Sequence, residues 1–293
     1  MIVFPPDNLH WAFAAGLGRL LSFDAGINLI DTAPAYGLGT AEQIVAKAIR
    51  DRRDKVVLST KCGLVWHTDR GTYHEVQYGK RIYRFLGPDS ICHELEASLR
   101  RLGTDYVDLY QTHWQDETTP IEDTLDMLMR LKQDGKIRAV GVSNVSLAQL
   151  ETYHTHSPID SVQEEYNMLN RDLEVNLLPY CRKNNIAVLA YSPVAQGLLS
   201  GKILSDQQLP EGDFRRTHPR FSSQNRNKVA TLLESILPVA RDHRTSLAQV
   251  AIAWMISRGP APRTPCLKPA ARRKPGKTRW REKWSWMKWK SLS

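Results

Sequence analysis

The sequence predicts an α/β protein folded as a closed (β/α)8 barrel, and three observations carry that prediction. From Gly26 onward, short β-branched runs alternate with amphipathic stretches at intervals of roughly 20–50 residues. These runs are too apolar to face water, which suits parallel strands covered by helices. An open doubly wound sheet is the alternative, but the GxGxxG turn such a sheet usually carries after its first strand is absent. The nearest candidate, GLGTAEQ at 37–43, lacks the third glycine.

The elements follow in order. INLID (27–31) reads as a buried strand that Thr32, Pro34 and Gly37 forbid from continuing. In AEQIVAKAIRD (41–51), Ala41, Ile44, Val45 and Ala48 share one helical face. KVVLSTK (55–61) is the next strand, and 62–87 is a long loop rich in aromatic and charged residues. Gly87, Pro88, Asp89 and Ser90 open a helix through Leu102 that Gly103 ends. YVDLYQTH (106–113) is followed by a helix over 121–134 closed by Gly135, IRAVGVS (137–143) by a helix over 146–154, and DSVQEEY (160–166) by a helix near 172–184. IAVLAYS (186–192) is a further strand.

With 293 residues, 42% hydrophobic and 24% charged, the chain suits an ordinary soluble globular protein able to bury one large core. No run approaches the ~18 apolar residues of a membrane span. The start MIVFPPDNLH lacks the basic and apolar regions of a signal peptide, so a cytoplasmic location is expected. Cys62, Cys92, Cys181 and Cys266 are widely spaced and read as free thiols. His154 and His156 lack a third ligand nearby and read as exposed polar residues, so no metal is assigned. The net charge of +9 resides in residues 263–293, where eleven Lys and Arg face one acid, Glu282. No nucleic-acid binding is therefore expected of the folded body.

Polar residues gather where the strands stop. Asp31 closes the first strong strand, Lys61 the next and His113 the one after, and Tyr36 lies on the loop beyond Asp31. In a barrel these ends share one rim. Any one of them alone is as well read as a solvated surface group, but together their chemistry is complementary. A phenol with an ordinary pKa of about 10 is a poor acid until an ammonium lies beside it, and a carboxylate keeps that ammonium charged. A histidine orients a carbonyl or relays a proton.

Five separated segments, DAGINLIDTAPAYG, VVLSTKCG, DYVDLYQTHW, GKIRAVGVSN and AYSPVAQGLLSGK, resemble the motifs of the aldo-keto reductases, in that family's order, over roughly residues 20–258. The resemblance implies a TIM barrel of the aldo-keto reductase type that reduces aldehydes or ketones to alcohols, a small-molecule carbonyl substrate, and NADPH bound without a Rossmann fold. It implies that Tyr36 is the general acid, that Lys61 and Asp31 tune it, and that His113 orients the carbonyl. Ser143, Asn144 and Gln163 match positions that hold the nicotinamide carboxamide, and Tyr191 matches the ring stacked on the nicotinamide. Ser192, Val194, Gln196, Gly197 and Leu198 match the loop over the pyrophosphate. Read without the resemblance, Ser143 and Asn144 equally suit a helix N-cap, and Tyr191 suits core packing. Trp66, His67, Tyr73, Tyr83, Phe85 and Trp114 are candidates for an aromatic substrate wall.

Both ends depart from the family's pattern, and the barrel is expected to be incomplete at both. Residues 1–262 are assigned to the barrel, with MIVF in place of a Gly-rich first strand. Residues 263–293 form a basic, Trp-rich tail expected to be disordered or foreign to the family, and no eighth strand is expected there. No position matches the family's grip on the cofactor 2′-phosphate; Arg272 and Arg273 are the nearest candidates. Two further readings follow: a catalytically impaired relative that lacks an intact 2′-phosphate site, and a binder of anionic surfaces acting through the tail.

Overall fold

Eight parallel strands stand side by side in the order in which the chain makes them. The computed structural model describes residues 2–3, 28–203, 208–258 and 263–265. The strands are β1 (Ile2–Val3), β2 (Leu29–Asp31), β3 (Val57–Cys62), β7 (Val107–Thr112), β8 (Ile137–Ser143), β9 (Ser161–Glu165), β10 (Ala187–Tyr191) and β11 (Arg263–Pro265). A doubly wound sheet reverses its strand order at a switch point. Here nothing reverses, so the barrel reading holds and the open-sheet alternative falls. Among the described residues no pairing joins β11 to β1, and these end strands are only three and two residues long.

The first residues of the basic tail take part in the sheet. Arg263–Pro265 pairs in parallel with β10, in the register Val188↔Arg263 and Leu189↔Thr264. Three residues at an end position ask only for backbone pairing on one side. Ile2–Val3 pairs with β2 in the same way, as the MIVF substitution anticipates. Cys266, Arg272 and Arg273 lie outside the described residues.

Five helices cover the sheet where the sequence places them, α1 (Thr40–Ile49), α2 (Pro88–Leu102), α3 (Ile121–Gln133), α4 (Leu147–His156) and α5 (Leu177–Lys183), and two more, α6 (Ser223–Asp242) and α7 (Leu247–Ser257), follow the last strand read from the sequence. In α2, Pro88 pre-sets the first turn and Gly103 adopts the left-handed stop at φ 65°. Its Ile91, Leu95, Leu99 and Leu102 recur at helical spacing and are buried. On α1 the buried face is Ala41, Glu42, Val45 and Ile49, with Ile44 and Ala48 only half-buried. Glu42 is tolerated there because Arg101 Nε and Thr60 Oγ1 donate to its carboxylate at 2.6 and 2.7 Å. Inside the sheet, Leu109 and Leu189 pack with Leu29, Ala139, Tyr36 and Tyr191, and this cluster floors the carboxyl rim.

The segment expected as a loop over 62–87 is largely a small antiparallel sheet, β4 (Leu64–Val65), β5 (Thr72–Gln77) and β6 (Lys80–Arg84), ordered β4-β6-β5. Its mixed aromatic and charged residues satisfy strand pairing with one face on the barrel and one face in water. Ile82 points inward at 1% exposure, and Val76 and Tyr78 lie outward.

Candidate active site

Strand alternation explains the centre of the site. Asp31 ends β2 opposite Ser59, and Lys61 stands opposite Gln111 on β7. Ser59 and Lys61, then Gln111 and His113, are each two residues apart, and side chains so spaced share one face. Lys61 Nζ donates to Asp31 Oδ2 at 2.6 Å and to the Thr32 carbonyl at 3.0 Å. The other carboxylate oxygen accepts from Ser59 Oγ at 2.8 Å and Gln111 Nε2 at 3.3 Å. All four side chains are buried. An ion pair shut away from water persists only when its remaining hydrogen-bonding capacity is met, and Ser59 and Gln111 meet it.

Above this pair lie two rings. Lys61 Nζ is 5.3 Å from the Tyr36 ring centroid, and the His113 ring meets Tyr36 edge-on with centroids 5.6 Å apart. Burial, and then the charge of Lys61, hold the His113 imidazole well below its ordinary pKa. It is therefore neutral at pH 7 and carries one proton to donate. The structure thus brings together all four residues that the strand ends single out.

A second group forms on the far side of the rim. Ser143 Oγ donates to the Gln163 carbonyl at 2.6 Å, and Asn144 Nδ2 donates to the His113 carbonyl at 2.7 Å. Tyr191 Oη donates to Asn144 Oδ1 at 2.8 Å. Burial and the carboxylates of Glu164 and Glu165 push the Tyr191 phenol up, so it stays protonated. Helix α4 is capped by Ser146, whose hydroxyl and Gln149 form a capping box, so Ser143 and Asn144 are not that cap. Asn144 takes a left-handed backbone at φ 55°, and the Val145 N–H donates to buried Glu164 at 2.7 Å.

Beyond β10 the backbone turns left-handed at Ser192, Ala195, Gln196 and Gly197. Buried Gln196 Oε1 has no hydrogen-bond partner. Val194 packs partly buried at the edge of a second core, whereas Leu198 is buried within it beside Leu199 and Phe221. The Leu198 side chain therefore anchors this loop. Arg215 Nη1 donates to the Gln196 carbonyl at 3.3 Å, and Arg220 is paired with Glu165 at the end of β9. The sequence reading passes over both arginines, although FRRTHPRF (214–221) places three arginines close together.

The expected aromatic wall divides. Trp66 and Trp114 pack with Ala35, Leu38, Leu64 and Ile82, next to the turn that carries Tyr36. Phe85 is buried against Gly87 and beneath Arg70, Tyr73 is half-exposed and meets Tyr83 edge-on, and His67 stacks on His93. Among the described residues no cluster suits a metal ion: His156 pairs with Asp126 and His154 meets the Tyr180 ring.

A parallel barrel with a buried lysine–carboxylate pair and two titratable rings at its carboxyl rim has the layout of a barrel enzyme. The chain belongs to the aldo/keto reductase family, whose model matches residues 19–273, and it is thereby placed among oxidoreductases. It is 42% identical over 235 residues to an NADH-specific methylglyoxal reductase of Escherichia coli, covering 79% of this chain and 71% of that one. An aldo-keto reductase of Bacillus subtilis is 37% identical, with 80% of this chain and 69% of the relative covered. Among solved structures, a glycerol dehydrogenase from Gluconobacter oxydans superposes with a TM-score of 0.79 at 34% identity, covering 89% of this chain and 80% of the other. An aldo/keto reductase from Klebsiella pneumoniae in complex with NADP and acetate superposes with a TM-score of 0.68 at 28% identity, covering 92% and 80%.

Proposed function

We propose that this chain reduces small aldehydes or ketones to alcohols with NADPH, with Tyr36 as the proton donor. The observation that carries the proposal is the buried Lys61–Asp31 pair beneath the Tyr36 and His113 rings. The ammonium favours the developing phenolate, and Asp31 keeps the ammonium charged without water. Neutral His113 donates to the carbonyl oxygen and fixes its position. As negative charge builds on that oxygen, Tyr36 transfers its proton to it, and the Lys61 charge stabilises the tyrosinate left behind.

The dinucleotide, when bound, supplies a hydride to the carbonyl carbon. Ser143, Asn144, Gln163 and Tyr191 would hold its carboxamide end, and residues 192–198 its phosphates. The orphaned Gln196 Oε1 suits a hydroxyl or amide donor, and successive left-handed residues let backbone approach a phosphate. Asn144 already uses its amide on His113, Ser143 and Tyr191, so a carboxamide would take over one of those bonds. The E. coli relative is named NADH-specific and the Klebsiella structure holds NADP, so the test compares both cofactors. The free thiols Cys62, Cys92 and Cys181 fit the reducing cytoplasm.

The test is oxidation of NADPH and NADH by the purified chain in the presence of small aldehydes. Turnover that disappears in Tyr36→Phe supports the reading. Turnover that survives the substitution removes Tyr36 from the role.

A further inference from the structure

One arginine without an acidic partner among the described residues, Arg84, packs on Trp114, the residue that follows His113. Arg84 is half-buried on β6, with its guanidinium over the Trp114 ring at 4.5 Å. Its Nε donates to His74 Nδ1 at 3.1 Å. Trp114 directly follows His113 in the chain, and the His74 ring is 5.6 Å from the Trp114 ring. Among the described residues no carboxylate pairs with Arg84, although most other half-buried arginines here have one: Arg53 has Asp108, Arg101 has Glu42, Arg215 has Asp213 and Arg220 has Glu165.

The backbone shows how the side chains come together. On β5 the pairing runs Thr72↔Arg84 and Tyr73↔Tyr83, and then jumps to Glu75↔Ile82. His74 is the extra residue of a β-bulge. Bulges re-aim a side chain and concentrate near active sites. Without it, strict alternation would set the residue after Tyr73 on the next partner of β6. Arg84 also shares the inward face of β6 with Ile82, two residues earlier, which packs in the same cluster as Trp114. Burial and the Arg84 charge lower the His74 pKa, so His74 is neutral. With Nδ1 accepting, its remaining ring nitrogen carries a proton and is a second donor.

We infer that Arg84, held by Trp114 and the bulged His74, is the specificity-determining residue of this site and selects carbonyl substrates that carry a carboxylate a few bonds from the reacting carbon. A guanidinium pinned on an aromatic face, with its outer nitrogens uncommitted to any acid, matches a carboxylate in geometry and charge. Removal from bulk water strengthens that match, and Trp114 limits the loss of side-chain freedom on binding. The inference rests on the carbonyl-reductase reading, and it adds which carbonyl compounds are preferred.

The experiment compares 4-oxobutanoate with butanal, aldehydes of equal length that differ in one carboxylate, for the full chain and for Arg84→Gln and Arg84→Lys. We expect the ratio of kcat/KM for the anion over the neutral aldehyde to fall at least about tenfold in Arg84→Gln, chiefly through KM, since the substitution removes the charge from a pair of charge-assisted hydrogen bonds. Arg84→Lys should recover part of the ratio, which a merely structural role would not produce. A ratio unchanged in Arg84→Gln overturns the inference and leaves carbonyl reduction standing. If neither aldehyde is turned over, the carbonyl-reductase reading fails, and quenching of tryptophan fluorescence by 4-oxobutanoate decides on the anion site alone. Quenching lost in Arg84→Gln upholds that site, and no quenching in the parent chain overturns it.

Discussion

Lys61 Nζ and Asp31 Oδ2 stand 2.6 Å apart with both side chains closed to water, yet the two partners are not equally well supported. Asp31 also accepts from Ser59 and Gln111, both neutral donors. Stranding a buried charge costs about 3–5 kcal/mol. Asp31→Ala is therefore expected to lose about that much stability, and Lys61→Met to lose less, because Ser59 and Gln111 still solvate the carboxylate. Urea unfolding of the two variants checks this. Equal losses would mean that the flanking hydrogen bonds contribute nothing.

Tyr36→Phe keeps the ring that packs against His113 and removes only the hydroxyl. A proton donor needed in the transition state contributes typically 10²–10⁴-fold. The expected outcome is a loss of kcat in that range, with dinucleotide binding, followed by fluorescence titration, within about twofold of the parent. A matching loss of binding would make the tyrosine a binding residue.

How far the sequence carries the site depends on strand alternation. Asp31, Lys61 and His113 are legible because each ends an apolar run, and polar residues at strand ends need a reason. Ser59 and Gln111 obey the same two-residue rule one step further in, and that rule would have found them as braces. His74 and Arg84 were not legible. Their placement depends on a bulge within β5 and on an antiparallel sheet that mixed aromatic and charged residues disguise as a loop. Glu42 likewise breaks the apolar face read for α1, since its partner Arg101 lies 59 residues away. The pairing of Arg263–Pro265 with β10 is a backbone property at the end of a sheet, which side-chain composition does not announce.

Glu94 on α2 offers a pH test. Both carboxyl oxygens accept from the Gly63 N–H, at 3.1 and 3.0 Å, just beyond the strand that carries Lys61. Burial pushes its pKa from the ordinary 4.5 to about 8. The folded protein then holds a proton that the unfolded chain has released, so stability falls as pH rises from about 4.5 to about 8 and is level beyond. Glu94→Gln is expected to remove this slope, as read from urea unfolding at about pH 6 and about pH 9. Parallel behaviour of the two proteins would assign the slope to other groups.

Gly197 sits at φ 106°, and a Cβ there would lie 3.3 Å from Ile203 Cδ1 and 3.5 Å from Arg215 Nη1. A left-handed backbone costs a residue with a side chain about 1–2 kcal/mol. Gly197→Ala should therefore shift the loop that follows β10. We expect NADPH titration to show binding weakened by about tenfold, with a melting temperature lowered by only a few degrees. A large fall in melting temperature with unchanged binding would make the loop scaffold alone.

The last prediction concerns the barrel's end. The proposed domain boundary at 262 cuts in front of β11, whose three residues pair with the edge of β10. Stripping them bares the N–H and C=O groups of Val188, Leu189 and Ala190 on that side, and an open parallel edge is both less stable and prone to self-association. A chain ending at Pro265 keeps the pairing and drops the Trp-rich segment, whereas a chain ending at Arg258 loses both. If the barrel extends through Pro265, the shorter chain melts lower than the longer one by several degrees, since 1 kcal/mol shifts a domain of this size by roughly 2–4 °C. It should also elute as larger species in gel filtration as concentration rises. The chain ending at Pro265 should melt close to the full-length protein, because the excess positive charge of 266–293 adds self-repulsion. Equal melting of the two truncated chains would place β11 outside the cooperative unit and restore the boundary at 262.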